Sequence, residues 1–221
     1  MIIEFSHSQM DLIPTKIIAL ARNYTAHAAE MGGAVPQEPT IFLKPPSSLI
    51  GNGGVVILPS VSQRVDYEVE LAVIMKTQCS HVSSDQALNH VLGYSILVDV
   101  TARDIQAEAK KKGISWAKAK GFDTFAPLGP KIVPEDALDP HECDIWLQVN
   151  GDIKQKGNTR DMIFPVETLI AHISTIMTLS PMDIIATGTP EGVGPMQDDD
   201  TIEAGIEGIG TLTFTAQSEG P

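Results

Sequence analysis

The sequence is short of cysteine, of positive charge and of long apolar runs, and each shortage disfavours a class of protein. Its two cysteines, Cys79 and Cys143, form no CxxC pair, which argues against a disulfide framework. Lys and Arg number 15 against 28 Asp and Glu, a net charge of −13. Nucleic acid and anionic membranes are therefore not expected as partners, because phosphate binding needs a basic surface. The negative net charge does not exclude a small acidic substrate, since one bound metal ion can reverse the local charge.

The sequence shows no pattern of a signal peptide or of a membrane-spanning helix. No apolar run approaches the ~18 residues of a spanning helix. The first residues, Met1 to Ser6, lack the basic and then apolar pattern of a signal peptide. We therefore predict a cytoplasmic protein that does not enter a membrane. No internal repeat is visible, and a length of 221 residues favours one large domain.

Short apolar runs separated by 15 prolines and 18 glycines predict a β-rich fold. The predicted strands are residues 16–21, 40–44, 55–58, 65–75, 93–100, 131–133, 145–149, 183–186 and 211–216. Asn150-Gly151 between apolar runs predicts a two-residue hairpin. Helices are predicted at 84–89, 101–112 and 165–179. Since the strands do not alternate with long helices, we expect an α+β roll or barrel with a few peripheral helices rather than a doubly wound fold.

Acidic residues alternate along the segment Asp66-Tyr67-Glu68-Val69-Glu70. In a strand the three carboxylates would share one face. The row is either the solvated face of an edge strand or a site for a hard cation, which prefers oxygen ligands. Asp99 ends the apolar run that begins at Gly93, and a carboxylate there favours the second alternative, with Mg²⁺ or Mn²⁺ as the ion. Taken alone, Asp99 could instead cap the following helix or pair with Arg103.

Seven short motifs, in this order, resemble the fumarylacetoacetate hydrolase family. The likeness is closest to its short single-domain group, which hydrolyses acylpyruvates and decarboxylates oxaloacetate. The motifs are Arg22-Asn23-Tyr24 with His27 and Glu30, Phe42-Leu43-Lys44-Pro45, Glu68-Val69-Glu70-Leu71, Gly93-Tyr94 with Asp99 to Gln106, Trp116 to Asp123, Asn158 to Phe164, and Thr187 to Gly194.

The resemblance implies a mixed β-roll fold, a homodimer and a divalent metal, usually Mg²⁺ or Mn²⁺, bound by Glu68, Glu70 and Asp99. Asp66 is not a ligand in the family, so we expect it to lie behind the ligands or in solvent. The likeness also divides the chain into a short N-terminal segment, residues 1–15, and one catalytic domain, residues 16–217.

The family's chemistry implies a substrate with a 2-oxo acid group. The leading hypothesis is hydrolysis of the C–C bond of 3-acylpyruvates, of the acetylpyruvate or fumarylpyruvate type, to pyruvate and a carboxylic acid. The metal would stabilise the negative charge that develops as pyruvate departs. Oxaloacetate decarboxylation or keto–enol tautomerisation at the same site is the alternative. A non-catalytic oxoacid-binding protein is a remote one.

Three residues are candidates for catalysis. His27 and Glu30 would share a face of a short helix, so that Glu30 orients the imidazole; in the family such a pair activates water. An ordinary surface pair is the alternative. Because Gly32-Gly33 follows at once, the helix is a candidate lid. Lys120, between Trp116 and Phe122, would carry a lowered pKa or hold an oxyanion, unless it is a surface lysine.

Four residues are candidates for substrate binding. Arg103 and Gln106 lie three apart on the helix after Asp99, so both could face the metal; a surface ion pair is the alternative for Arg103. The resemblance makes Arg22 a substrate-binding residue and Thr189 a donor to the substrate carboxylate. The glycines around Thr189 fit neither a P-loop nor a dinucleotide motif, and they could serve only to shape a tight turn.

Overall fold

A computed structural model describes residues 1–30, 32 and 35–220, in which strands predominate. The strands are β1 (Ile2–Phe5), β2 (Ser8–Asp11), β3 (Ile17–Ala21), β4 (Thr40–Lys44), β5 (Leu49–Ile50), β6 (Val55–Leu58), β7 (Val65–Tyr67), β8 (Val69–Met75), β9 (Val91–Val98), β10 (Thr101–Ala102), β11 (Ala126–Pro127), β12 (Lys131–Pro134), β13 (Asp144–Val149), β14 (Asp152–Asn158), β15 (Ile184–Ala186), β16 (Gly194–Pro195), β17 (Thr201–Ile206) and β18 (Gly210–Ser218). The helices are α1 (Thr25–Glu30), α2 (Ser84–Ala87), α3 (Arg103–Lys112), α4 (Ala117–Lys120) and α5 (Val166–Ile176), with 3₁₀ turns at Pro46–Ser48, Leu88–His90, Glu135–Ala137 and Thr159–Asp161.

Two large mixed sheets organise these strands. The first has the order β2-β1-β12-β9-β8-β15-β3-β4, and the second has the order β14-β13-β17-β18-β6. Both combine parallel and antiparallel neighbours; β15 runs parallel to β3 and antiparallel to β8. The prediction of a β-rich α+β fold is confirmed. Among the described residues the sheets remain open, however, and no barrel closes.

Each predicted strand region contains a strand, but some boundaries differ. The run 65–75 divides at Glu68 into β7 and β8. The predicted hairpin joins β13 to β14, and Asn150 and Gly151 both have positive φ, 52° and 87°, as a type I′ turn requires. Helix α5 ends at Ile176 rather than residue 179, because Met177 is extended and Leu179 pairs with Cys79.

Strand β8 positions the acidic residues at the centre of the molecule. All seven of its residues are buried. Leu71 and Val73 pack into one apolar cluster, and Ala72 and Ile74 pack into the other. The strand is therefore covered on both faces and is not the edge strand that a solvated row of carboxylates would need.

No helix in the described part of the chain combines the length and the apolarity that crossing a bilayer requires.

A buried carboxylate, Asp183, joins the segment before β3 to the segment before β15. Asp183 Oδ1 accepts hydrogen bonds from Thr15 N at 3.0 Å, Thr15 Oγ1 at 2.7 Å and Lys16 N at 3.1 Å. Asp183 Oδ2 accepts from Lys16 Nζ at 2.5 Å and Ser180 N at 2.7 Å. Burial opposes ionisation, but Lys16 and the backbone donors hold the pKa of Asp183 below its ordinary value.

We expect Asp183→Ala to lower the free energy of unfolding by about 3 kcal/mol at pH 7, because it removes the acceptor of five hydrogen bonds. Since the native pKa lies below the unfolded one, this contribution is present above ~pH 4 and is lost as the pH falls through the native pKa. Urea unfolding of both proteins at pH 7 and pH 3 measures the effect, with the exposed Asp152→Ala as control. A difference that does not narrow at pH 3 would contradict the assignment.

A candidate active site around three buried carboxylates

The pairing of β8 with β9 brings Glu68, Glu70 and Asp99 together. Glu68 precedes β8, Asp99 follows β9, and the two strands are antiparallel with Val69 opposite Val98. Asp99 N donates to Glu68 O at 2.8 Å, which fixes the two chain ends side by side. One carboxylate oxygen from each acid lies within 4.8 Å of the others, and all three residues are buried. The three predicted metal ligands therefore share one site.

Cations neutralise two of the three acids. Lys120 Nζ lies 3.0 Å from Glu68 Oε2 and 2.5 Å from Asp99 Oδ2, and Arg103 Nη2 donates to Glu68 Oε1. Although burial opposes ionisation, Lys120 and Arg103 hold the pKa of Glu68 below its ordinary value. Burial likewise opposes the charge of Lys120, but Asp99 and Glu68 hold its pKa above the ordinary value. The expectation of a lowered pKa for Lys120 is therefore wrong.

Glu70 differs from its two neighbours. It forms no ion pair with any residue of the described chain, and its hydrogen bond comes from Gly188 N at 2.8 Å. Burial, Asp99 and Glu68 together raise the pKa of Glu70 well above its ordinary value. Glu70 is thus the member of the cluster whose ionisation is costly unless a further cation binds beside it.

These observations fit a divalent metal. Asp99 Oδ1 is buried and receives no hydrogen bond, although Lys44 Nζ lies 2.7 Å away. Three converging carboxyl groups, one of which has no cation partner in the described chain, are what a small hard cation requires. The donor set is oxygen only, which suits Mg²⁺ or Mn²⁺. Glu68, Glu70 and Asp99 could hold either ion.

Asp66 lies behind this cluster and not in solvent. Its side chain is fully buried and pairs with Arg64 at 2.8 Å and Arg103 at 2.7 Å. Arg103 also donates to Gln106 Oε1 at 2.9 Å, so it links Asp66, Glu68 and the amide of Gln106. The Arg103 side chain is 13% exposed, which excludes the alternative of a surface ion pair.

Helix α1 places His27 at the same site. His27 Nδ1 lies 3.0 Å from Glu30 Oε2, and the His27 side chain is 7% exposed. The alternative of an ordinary surface pair is therefore wrong for His27. Glu30 Oε1 accepts a hydrogen bond from Gly192 N at 3.1 Å, which ties the end of α1 to the loop after β15. Gly33, part of the predicted hinge after this helix, lies outside the described residues.

The loop after β15 needs glycine for its path. Gly192 has φ 93°, and a Cβ there would lie 2.1 Å from Lys154 O. Gly188 has φ 95°, and its Cβ would lie 2.7 Å from Asn23 Cβ. Thr189 on this loop is buried and accepts a hydrogen bond from Gln155 Nε2 at 2.8 Å. The next element is β16 and not a helix, in line with the rejection of a phosphate loop.

Of the residues that the sequence predicted for the site, all except Asp99 and Glu30 line one cleft. About 410 Å³ of space not filled by atoms lies within it, a volume that includes open solvent. Its lining is Leu20, Ala21, Arg22, His27, Phe42, Glu68, Glu70, Arg103, Gln106, Lys110, Trp116, Lys120 and Thr189. The structure therefore brings the predicted substrate-binding residues to the carboxylate cluster.

Two lysines at the site were missed from the sequence. Lys44 is fully buried at the end of β4, where Nζ donates to Lys120 O at 2.6 Å and Val100 O at 3.1 Å; burial lowers its pKa. Its position at the end of an apolar predicted strand is the sequence feature that could have identified Lys44. Lys110 lines the cleft, and the signal was its helical spacing from Arg103 and Gln106, seven and four residues earlier.

Comparison with known proteins supports a single family. A family model described as fumarylacetoacetate (FAA) hydrolase C-terminal matches residues 16–217. An uncharacterised protein of Pyrococcus horikoshii is 57% identical over 215 residues, covering 97% of this chain and 94% of that protein. A mitochondrial oxaloacetate tautomerase of Arabidopsis thaliana is 46% identical over 203 residues, covering 92% and 91%.

A solved structure gives the same result. Fumarylpyruvate hydrolase from Pseudomonas aeruginosa, crystallised in complex with Mn²⁺ and pyruvate, has a TM-score of 0.94 to this chain. The sequence identity is 30%, and the match covers 99% of this chain and 96% of that one. The family is one of metal-dependent enzymes, and the acidic triad found here could bind such a metal. The chain belongs to the fumarylacetoacetate hydrolase family as a single-domain member.

Proposed function

We propose that this protein is a divalent-metal-dependent hydrolase that cleaves the C–C bond of 3-acylpyruvates to pyruvate and a carboxylic acid. The observation that carries the proposal is the His27–Glu30 pair at the cleft that holds the acidic triad, because a base beside a cation site can activate water. The fold of the Pseudomonas aeruginosa fumarylpyruvate hydrolase supports it.

The binding of substrate involves both the ion and the chain. Glu68, Glu70 and Asp99 would hold Mg²⁺ or Mn²⁺, which would supply a Lewis acid for the 2-oxo acid group of the substrate. Gln106 and Thr189 bind the substrate carboxylate, and Arg103 keeps the Gln106 amide and Glu68 in place.

The hydrolytic step uses the histidine as a base. Donation from Nδ1–H to Glu30 leaves His27 Nε2 able to accept a proton. The water oxygen bonds to the distal carbonyl carbon of the substrate, and the water proton passes to Nε2. The C–C bond then breaks, its electron pair goes to the methylene carbon of the departing pyruvate, and that carbon takes up a proton. Lys120 stabilises the oxyanion that forms during the step.

A substrate panel tests the proposal. Acetylpyruvate and fumarylpyruvate are expected to release pyruvate in the presence of Mg²⁺ or Mn²⁺. Excess chelator is expected to stop the reaction, because it removes the Lewis acid that the proposed mechanism requires. Pyruvate is measured with a coupled dehydrogenase, and heat-inactivated protein is the control. Release of pyruvate at an unchanged rate in excess chelator would contradict the proposal, as would inactivity towards both compounds.

A second candidate function is keto–enol tautomerisation or decarboxylation of oxaloacetate. The observation that favours it is the 46% identity to an oxaloacetate tautomerase. Neither reaction needs an attacking water. Oxaloacetate is therefore included in the panel, with the loss of its enol absorbance as the measure of tautomerisation.

A further inference from the structure

Strand β14 lies at the edge of the second sheet and sends one side chain, that of Gln155, into the interior. Regular alternation would place Gln155 on the same face as Ile153, yet Ile153 is 55% exposed and Gln155 is buried. The register between β14 and β13 shifts between these two residues: Ile153 lies opposite Gln148. Gln155, two positions later, lies opposite Leu147, only one position from Gln148. An extra residue of this kind re-aims a side chain, and here it turns a polar side chain inward.

The amide of Gln155 joins the acid-bearing strand to the loop after β15. Its Oε1 accepts a hydrogen bond at 3.0 Å from Val69 N, which stands between two of the predicted metal ligands. Its Nε2 donates to Thr189 Oγ1 at 2.8 Å and to Pro190 O at 2.9 Å. Gln155, Val69 and Thr189 are all buried, so a change in any of these bonds cannot be compensated freely by solvent.

Partners with fixed roles decide the orientation of this amide. A backbone N–H only donates and a backbone carbonyl only accepts. Val69 N therefore requires the amide oxygen, and Pro190 O requires the amide nitrogen. The second hydrogen of that nitrogen points to Thr189 Oγ1. Thr189 thus receives a hydrogen bond from Gln155 and cannot donate one in return.

The hydroxyl of Thr189 keeps its own hydrogen for the cleft. Thr189 lines the cleft, and among the residues that the structure describes Gln155 is the hydrogen-bond partner of its hydroxyl. Since a hydroxyl donates one hydrogen, donation to an oxygen of a ligand is the use that remains. An anionic oxygen makes the stronger bond of this kind, because the bond is then charge-assisted.

We propose that Gln155 is a positioning residue that fixes the Thr189 hydroxyl as a hydrogen-bond donor toward the cleft, and so strengthens the binding of a 2-oxo acid carboxylate. The inference rests on the proposed function for the identity of that ligand. It adds to the site a residue of the second sheet that does not line the cleft, and it gives the contact a direction: the hydroxyl of Thr189 donates and does not accept.

A double-mutant cycle on pyruvate binding tests this role without turnover. Thr189→Val removes the hydroxyl and should weaken the binding of pyruvate to the Mn²⁺-loaded protein about ten-fold. Gln155→Met should weaken it about five-fold, because the hydroxyl remains but is no longer oriented. The double variant should bind about ten-fold more weakly than the wild type, whereas two independent effects would give about fifty-fold. Calorimetric titration at saturating Mn²⁺ measures all four proteins.

The cycle separates positioning from a general loss of structure. If Gln155 only supported the fold, Gln155→Met would lower the melting temperature, and its effect on pyruvate would be independent of Thr189→Val. Gln148→Met is the matched control, since it removes an amide from the neighbouring strand, where Gln148 donates to Glu203 at 3.1 Å and does not line the cleft. This control should bind pyruvate like the wild type.

Thr189→Ser tests the proposal with Gln155 unchanged, so the outcome does not depend on the folding of Gln155→Met. Because Gln155 orients the hydroxyl, and not the threonine methyl group, the serine variant should bind pyruvate nearly as well as the wild type. Binding as weak as that of Thr189→Val, or independent effects in the cycle, overturns the positioning role and leaves the proposed function standing. Failure of the Mn²⁺-loaded wild type to bind pyruvate overturns both.

Discussion

Glu70→Gln is expected to abolish turnover and to weaken Mn²⁺ binding by at least about 100-fold. Loss of residues that merely support metal ligands costs 10- to 100-fold in affinity, and a direct ligand should cost more. Calorimetric titration with Mn²⁺ measures this effect independently of activity. The exposed Glu207→Gln removes the same charge elsewhere and should bind Mn²⁺ like the wild type.

The same variant should have the opposite effect on the metal-free protein. Glu70 is a buried carboxylate with no cation partner in the described chain, and the glutamine can still accept the hydrogen bond from Gly188 N. Ionising Glu70 beside Glu68 and Asp99, or protonating it at neutral pH, costs the wild type free energy that glutamine avoids, so Glu70→Gln should melt above the wild type in chelator. With Mn²⁺ added, the order should reverse, because only the wild type gains stability from binding. Thermal unfolding of both proteins in chelator and with Mn²⁺ measures their melting temperatures. If the same protein melts higher under both conditions, the result would contradict a metal at this site.

His27→Ala is expected to reduce acylpyruvate cleavage by about 1,000-fold while oxaloacetate tautomerisation, where present, falls far less. The reason is that only hydrolysis requires a base to activate water, and such a base contributes roughly 10² to 10⁴ in rate. Both rates are measured on the same enzyme preparation with saturating Mg²⁺.

Two further measurements make the result for His27 specific. Mg²⁺ affinity should be retained in His27→Ala, which shows that the carboxylate site is intact. His172→Ala removes a half-buried histidine that does not line the cleft, and it should match the wild type in both reactions. An equal loss of hydrolysis and tautomerisation would refute the division of roles between the histidine and the metal site.

Local spacing was enough to mark Glu68, Glu70 and Asp99 as candidate metal ligands, and the resemblance to the family selected them and left out Asp66. Two of the three lie two residues apart in an extended segment, and Asp99 ends an apolar run that had to be an interior strand. The surroundings of Asp66 could not be predicted in the same way. Alternation along a strand does not show whether either face is exposed to solvent. Here both faces of β8 are covered by other parts of the chain, so the neighbouring carboxylates are buried.

Other features depend on contacts between residues distant in sequence. Lys44 and Asp99 are 55 positions apart, and neither local sequence indicates that the lysine will be buried against the acid. Asp183 looks like an ordinary residue before a strand, yet its donors include Thr15 and Lys16 from the other end of the chain. Gly188 and Gly192 were visible as glycines, but the atoms that exclude a side chain there belong to Asn23 and Lys154.

The two oxygens of Glu30 have separate partners, His27 and the amide of Gly192. In the proposed mechanism, any movement of α1 away from the Gly192 loop would release the imidazole from its orientation at the same moment. Attack by water then requires the six-residue helix α1 to be docked against the Gly192 loop. Tautomerisation and decarboxylation consume no water, so they do not require this contact. The ratio between hydrolysis and tautomerisation can therefore shift through the strength of that docking, with the three carboxylates unchanged.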